Sequence, residues 1–331
     1  MPTIHWGIIA PGAIAVKFAT ALAAVPQARL QAVAGRSRQR AEDFATRFQA
    51  ARVHDDQAAL LADPDIQAVY IASPHPCHHA MTMAALRAGK AVLVEKPIGL
   101  NRHQVAEMVA LAGERRVFLM EAMWTRFLPV MERVRRWLAD GAIGTVRQIQ
   151  AAFGFRCGWN PVSRLLDPAL GGGALLDVGV YPIALALDLF AEPPTAIRAL
   201  AHRGETGVDE QTAILLSFPA GGLGVLTCAV RTTCDHRAEI CGTEGRIVIE
   251  PPFWRSTAAT LLNPDGSPRE QFSQPHRCNG YEYEIEAVHE ALAQGLIEHP
   301  RCPHQDSLSV MEICDEVRRQ IGLRYPEEDR P

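Results

Sequence analysis

At 331 residues, with 48% hydrophobic and 21% charged side chains, the chain has an ordinary globular composition and is long for a single core. Its formal net charge of −4 gives no reason to expect nucleic acid or an anionic membrane as a partner. No apolar run approaches the ~18 residues that suggest a membrane span, and the N-terminal Met-Pro-Thr-Ile-His-Trp lacks the charged n-region of a secretory signal. The eight cysteines (77, 157, 228, 234, 241, 278, 302 and 314) form no Cys-x-x-Cys pair, which argues for free thiols in a reducing compartment. His289-Glu290 starts like a zinc-protease helix, but position 293 is Ala where a second His is needed. The protein is therefore expected to be cytoplasmic and metal-free.

The first 120 residues alternate strand and helix. Strands are expected over 3–9, 30–35, 66–72, 91–94 and 117–120, and helices over 13–24, 38–48, 79–88 and 102–112. Five strand signals in this alternation imply a parallel, doubly wound sheet with right-handed crossovers. The first strand–helix turn places Ala10, Gly12 and Ala15 in the G-x-G-x-x-G/A frame that brings backbone to a pyrophosphate, with Ala10 in place of the first glycine. Alone, Gly12 reads equally well as a turn glycine; its position between strand and helix favours a dinucleotide loop formed by Ala10, Gly12, Ala13 and Ile14.

The second strand ends in Gly35-Arg36-Ser37, with Arg40 following. NAD-preferring folds carry an acidic residue here for the ribose 2′-hydroxyl, whereas Arg36, Ser37 and Arg40 would attract the 2′-phosphate of NADP. The alternative is a set of solvated arginines at a helix start. Farther on, Ala91-Val-Leu-Val-Glu-Lys-Pro97 reads as a buried parallel strand that stops at its proline. Lys96 would then stand at the C-terminal sheet edge, where open α/β sheets bind ligands, unless Glu95 and Lys96 are only a solvated charge pair.

After Glu121-Ala122 the alternation ends. Strands are expected over 145–156, 196–202, 211–218, 223–232, 237–241, 246–250 and 258–263, forming a largely antiparallel sheet, with helices over 130–139, 174–190, 281–294 and 306–322. Residues 1–122 and 123–331 are the expected domains. The glycine triplet Gly171-Gly172-Gly173 can bring backbone close to a ligand before a helix on which Asp177 and Tyr181 share one face. A buried Asp–Tyr hydrogen bond without function is the alternative.

Val94-Glu95-Lys96-Pro97, Leu119-Met-Glu-Ala-Met-Trp-Thr-Arg-Phe127 and Gly171 to Tyr181, supported by Gly207-Val208-Asp209 and Gly242-Thr243-Glu244-Gly245, resemble the Gfo/Idh/MocA oxidoreductases over essentially the whole chain. The likeness is greatest to the branch of dimeric dihydrodiol dehydrogenases and NADP-dependent D-xylose dehydrogenases. The resemblance implies a Rossmann domain followed by an α/β domain whose large, mostly antiparallel open sheet often forms a homodimer interface. It implies hydride transfer between NADP, or NAD, and a secondary alcohol, hemiacetal or diol carbon of a sugar or trans-dihydrodiol.

It also implies roles. Tyr181 would be the general acid/base, Lys96 the cation that favours its tyrosinate and binds the substrate oxygen, and Asp177 the group that orients the substrate. Trp124, Arg126 and Phe153 would wall the nicotinamide and substrate pocket, and Ser73, Pro74, His75 and His78, with Glu95, would line the cofactor. Ordinary packing or capping is the alternative for these wall and loop residues. Many family members have His where Tyr181 stands, and Ala10 departs from the usual glycine, which bears on cofactor affinity. Two rival readings remain: a redox-neutral glycoside hydrolase that keeps NAD bound, a kind of enzyme the family contains, and a non-catalytic NADP-binding sensor, against which intact Lys96, Asp177 and Tyr181 count.

Overall fold

The structure is a computed structural model describing residues 2–326. In chain order its first elements are β1 (Ile4–Ile9), α1 (Ala13–Ala23), β2 (Ala28–Ala34), α2 (Arg38–Phe48), β3 (Arg52–His54), α3 (Gln57–Ala62), β4 (Ala68–Ile71), α4 (His78–Arg87), β5 (Ala91–Glu95), α5 (Arg102–Arg115) and β6 (Leu119–Ala122). There follow α6 (Pro129–Ala139), β7 (Val146–Gly154), α7 (Val180–Phe190), β8 (Ala196–Arg203), β9 (Asp209–Ser217), β10 (Leu223–Ala229), β11 (Ala238–Gly242), β12 (Arg246–Ile249), β13 (Ala258–Leu262), β14 (Pro268–Ser273), α8 (Glu282–Ala293) and α9 (His304–Ile321).

The chain divides into two compact units. The first runs to Trp124 and takes in His276–Ser307; the second is Thr125–Pro275 with the chain from Leu308 onward. In the first unit six strands lie parallel in the order β3-β2-β1-β4-β5-β6. The order reverses between β1 and β4, so the C-terminal ends of β1, β4 and β5 flank the switch point where such sheets bind ligands. β4 and β5 are buried along their whole length, which is why they read as unbroken apolar runs.

Three short elements, β3, α3 and β14, had no separate sequence signal. β3 is three residues long, and its Arg52 and His54 both bind the Asp63 carboxylate, at 2.8 and 3.0 Å. Burial raises the Asp63 pKa, but these partners outweigh it and hold the group at about 2. The return of His276–Ser307 also differs from the expected division at residue 122. α8 covers the first sheet: Trp6 Nε1 of β1 donates to His289 Nε2 at 3.0 Å, and the loop beyond α8 pairs with the edge strand through Leu119 N and Ile297 O at 2.9 Å.

The second unit holds an eight-stranded sheet in the order β14-β13-β12-β11-β7-β10-β9-β8, antiparallel at every pairing except β7 with β10. Side-chain alternation gives it a buried face (Ile149, Ile214, Leu216, Leu226, Ile240 and Ile247) and an opposite face on which Leu200, Leu215 and Leu223 are exposed. One helical stretch, Pro168–Phe190, is long and apolar enough by composition to cross a membrane, contrary to the expectation that no such run exists. Its most apolar window is 89% buried inside the protein, the condition that lets a helix be apolar on every side.

Candidate active site

In the first unit, β1 leads into α1 through Ala10-Pro11-Gly12. Ala10 lies in the left-handed region at φ 64°, so the residue replacing the motif's first glycine occupies a conformation that glycine adopts without strain. Gly12 is the N-cap of α1 and brings no side chain to its amides, leaving the first turn at Ala13 and Ile14 open to an anion. Ala15 is fully buried, the close helix–strand packing that the third motif position serves. Beyond β2, Arg36 and Arg40 are exposed and form no ion pair among the described residues, while Ser37 caps α2 by accepting weakly from Arg40 N at 3.4 Å.

At the end of β4, Ser73 is buried and its hydroxyl has no hydrogen-bond partner among the described residues. Pro74 is partly exposed and His75 is buried. His78 was expected against the cofactor but is fully buried. Its Nδ1 lies 2.7 Å from Pro97 O and its Nε2 lies 2.8 Å from Ser73 O. It therefore acts by joining the β4 and β5 loops. Burial holds its pKa below the usual value although both carbonyls favour the charged ring.

Lys96 follows β5, half-buried, and a cis peptide bond leads to Pro97. Glu95, also expected at the cofactor, instead turns into the protein: its carboxylate accepts from the Tyr70 hydroxyl and, at 3.2 Å, from the Lys96 amide. Beside it stands Glu284 of α8, fully buried, with neither oxygen hydrogen-bonded among the described residues. Burial, and then the Glu95 charge, push the Glu284 pKa well above the usual carboxylate value. Trp124 stacks on Tyr281 just before α8, with ring centroids 4.5 Å apart.

In the second unit the helix that carries the motif residues begins with a π-helical turn, Leu175–Gly179, before α7. Such turns occur mostly as single insertions, frequently at functional sites. Asp177 is buried and bound by Arg164 Nη1 at 2.8 Å, from the loop after β7. Tyr181 is 7% exposed, and its ring centroid is 5.4 Å from that of Phe153 on β7. Phe153 stacks face to face on Trp254, and His236 closes on the same pair at 5.7 and 4.7 Å. Arg126, expected in the pocket wall, is buried 3.9 Å from Asp188 of α7, whose carboxylate also takes Arg135 at 2.8 Å. Its charge braces α7.

The arrangement thus brings Phe153, Asp177 and Tyr181 together in the second unit, and Ser73, His78, Glu95 and Lys96 in the first. Arg164, Trp254, His236 and Glu284 lie outside every recognisable motif and were missed. All eight cysteines are free thiols, and no group of three or more His, Cys, Asp or Glu among the described residues is arranged to hold a metal ion.

Residues 4–123 match the oxidoreductase family with an NAD-binding Rossmann fold, and residues 131–248 match the GFO/IDH/MocA C-terminal domain. A trans-1,2-dihydrobenzene-1,2-diol dehydrogenase of Mus musculus is 38% identical, with 99% of each chain covered. The chain belongs to the Gfo/Idh/MocA family. It is an NAD(P)-binding oxidoreductase. The Homo sapiens enzyme of the same name is 36% identical over 99% of each chain. A 3-ketoreductase from Actinomadura kijaniata, solved with NADP and TDP-benzene, superposes with a TM-score of 0.86 at 31% identity, covering 96% of this chain and 98% of that one. An aldose–aldose oxidoreductase from Caulobacter crescentus shares the fold, with a TM-score of 0.87 at 24% identity over 96% and 97%. The residues present fit a dinucleotide: an uncapped helix start at Gly12, an orphaned Ser73 hydroxyl at the neighbouring strand end and exposed guanidiniums at Arg36 and Arg40.

Proposed function

We propose that this oxidoreductase uses NADP to oxidise a secondary hydroxyl of a sugar or of a trans-dihydrodiol. The observation that carries the reading is Tyr181 near the head of a buried helix, against the Phe153–Trp254 pair and one turn beyond Asp177. Aromatic rings suit the apolar face of a ring substrate, while the carboxylate and phenol address its hydroxyls. The names of the relatives point to the same substrate classes.

When bound, NADP would supply the acceptor for the hydride that leaves the substrate carbon. Tyr181, as tyrosinate, takes the proton from that carbon's hydroxyl. A free phenol has a pKa of ~10 and is a poor base near neutrality. The Lys96 ammonium offsets this by favouring the tyrosinate and holding the same oxygen. Asp177 orients a second hydroxyl in exchange for part of its hold on Arg164. Arg36, Ser37 and Arg40 take the 2′-phosphate, which sets the preference for NADP; Ala10, Gly12, Ala13, Ile14 and Ser73 with its loop take the pyrophosphate side.

Two further assignments accompany this one. Leu200, Leu215 and Leu223 expose apolar surface on adjacent strands of one sheet face, which suits pairing with a second copy of the chain; light scattering of Leu215→Glu should then give monomers where the wild type gives dimers. Free thiols throughout suit the cytoplasm.

The test is a spectrophotometric screen of trans-1,2-dihydrobenzene-1,2-diol, aldoses and polyols with NADP⁺ and NAD⁺. Reduced cofactor should accumulate, faster with NADP⁺. Absence of reduced cofactor with every substrate would refute the reading, and glycoside cleavage without net reduction would replace it by the redox-neutral alternative.

A further inference from the structure

A buried carboxylate that the mechanism above does not use lies against the start of the helix bearing Asp177 and Tyr181. Asp209, the first residue of β9, is fully buried. Its Oδ2 accepts from the Leu175 amide at 2.8 Å and from the Thr212 hydroxyl at 2.7 Å. On its other side Gly173, at φ 115°, comes so near that a β-carbon there would stand 2.1 Å from Oδ1. The third glycine of the triplet therefore makes room for this carboxylate, and the Gly172 carbonyl before it is held by the Tyr325 hydroxyl at 2.9 Å. The bound amide is one of the donors a helix start leaves unsatisfied, at the positive end of its dipole. Farther along, a β-carbon on Gly179 would stand 2.9 Å from Cys228 Sγ of β10. The turn between Leu175 and Gly179 is thus anchored by β9 at one end and pressed on β10 at the other.

We propose that Asp209 is a positioning residue for the reaction: its carboxylate fixes the π-helical turn and so sets where the Asp177 carboxylate and the Tyr181 hydroxyl stand. The inference rests on Tyr181 being the acid–base group. No other ionised side chain is needed to explain the geometry, because the anchor is made of backbone amide, hydroxyl and carboxylate alone.

Protonation weakens such an anchor by turning charge-assisted hydrogen bonds into neutral ones. Burial raises the Asp209 pKa to about 6, against the Thr212 hydroxyl and the Leu175 and Ala174 amides, which lower it. From β10 the titratable group facing it is Cys228, with Cys234 and Cys314 of α9 beyond. Burial first, and then Asp209, push the Cys228 thiol well up, so it keeps its proton wherever Asp209 titrates. On the helix itself Asp177 is already bound by Arg164.

The test is the pH profile of kcat for trans-1,2-dihydrobenzene-1,2-diol with NADP⁺. Whatever slope the proton acceptor itself gives wild type, Asp209 should add a further several-fold drop in kcat centred near its pKa of about 6. Asp209→Asn keeps an oxygen for the Leu175 amide but carries no charge. It should lower kcat several-fold at pH 8, leave the KM for NADP⁺ unchanged, and lack the extra drop. Thr212→Val removes a donor to the charged form, so the drop should persist and move to higher pH. Parallel wild-type and Asp209→Asn profiles would overturn the proposal. If Asp209→Asn does not fold, an unmoved drop in Thr212→Val overturns it instead. Full turnover by Tyr181→Phe would mean that the acid–base reading, not the anchor, has failed.

Discussion

Replacing Asp209 by asparagine should make the protein more stable at neutral pH while making it a poorer catalyst. The carboxyl titrates at about 6 in the fold, chiefly because of burial, against 3.8 in the unfolded chain. The difference of about 2.2 units, at 1.36 kcal/mol per unit, is on the order of 3 kcal/mol. Because the folded pKa is the higher, folding takes up a proton: the contribution of Asp209 is full below pH 3.8 and is lost as pH rises through about 6. Neutral asparagine avoids that loss and, with its carbonyl oxygen in the place of Oδ2, still accepts from the Leu175 amide and the Thr212 hydroxyl. Urea unfolding followed by tryptophan fluorescence should therefore show the variant about 3 kcal/mol more stable at pH 7.5 and indistinguishable from wild type near pH 4. A gain of equal size at both pH values, or a loss at pH 7.5, would refute the reasoning. Opposite movement of stability and turnover is what a residue kept for function produces.

Other outcomes follow from single residues. Arg36→Ala should reduce the ratio of NADP⁺ to NAD⁺ affinity about tenfold or more by fluorescence titration, since a charge-assisted phosphate contact is worth about 1.5–3 kcal/mol; an unchanged ratio would remove the 2′-phosphate role. Ala10→Gly should raise stability by about 0.5–1 kcal/mol, because relief of a left-handed alanine (~1–2 kcal/mol) exceeds the added freedom of glycine in the unfolded chain; thermal unfolding that shows a loss would contradict the strained turn. Burial lowers the His289 pKa to about 4, so the stability it contributes is present above pH 6.5 and lost as pH falls toward 4. His289→Gln should flatten that acid decline by about 3 kcal/mol while still accepting from Trp6; an acid decline as steep as wild type would count against the buried imidazole.

The first sheet was largely legible because strands buried on both faces are written as contiguous Val, Ile and Leu runs with Gly and Pro at their ends. β3 escaped because three residues at a sheet edge, one of them exposed, carry no period. α8 was legible as a helix but not as a cover for the first sheet: its pattern shows that one face is buried, and only the Trp6–His289 bond shows against what. Among the site residues, Lys96 stood out as a charge whose desolvation at a strand end is costly without a use, and Asp177 and Tyr181 as polar neighbours on one face of an apolar helix. Glu95, His78 and Arg126 were placed at the right ends of the right elements, but a sequence does not tell which way a side chain turns there, and all three turn inward. Asp209 was visible only as part of Gly207-Val208-Asp209. What gives it a role is the close approach of Gly173, distant in sequence and inseparable from it in space. Arg164 and His236 sit in loops and Trp254 in a single 3-10 turn, where no periodicity marks a residue for attention.

The central claim, that Tyr181 moves the proton with the help of Lys96, is tested most directly by steady-state formation of reduced cofactor in Tyr181→Phe and Lys96→Ala, with NADP⁺ binding measured alongside. General acid–base groups contribute about 10²–10⁴-fold, so kcat should fall by that much in each variant while the NADP⁺ dissociation constant stays within a few-fold of wild type. Wild-type kcat in Tyr181→Phe would contradict the account.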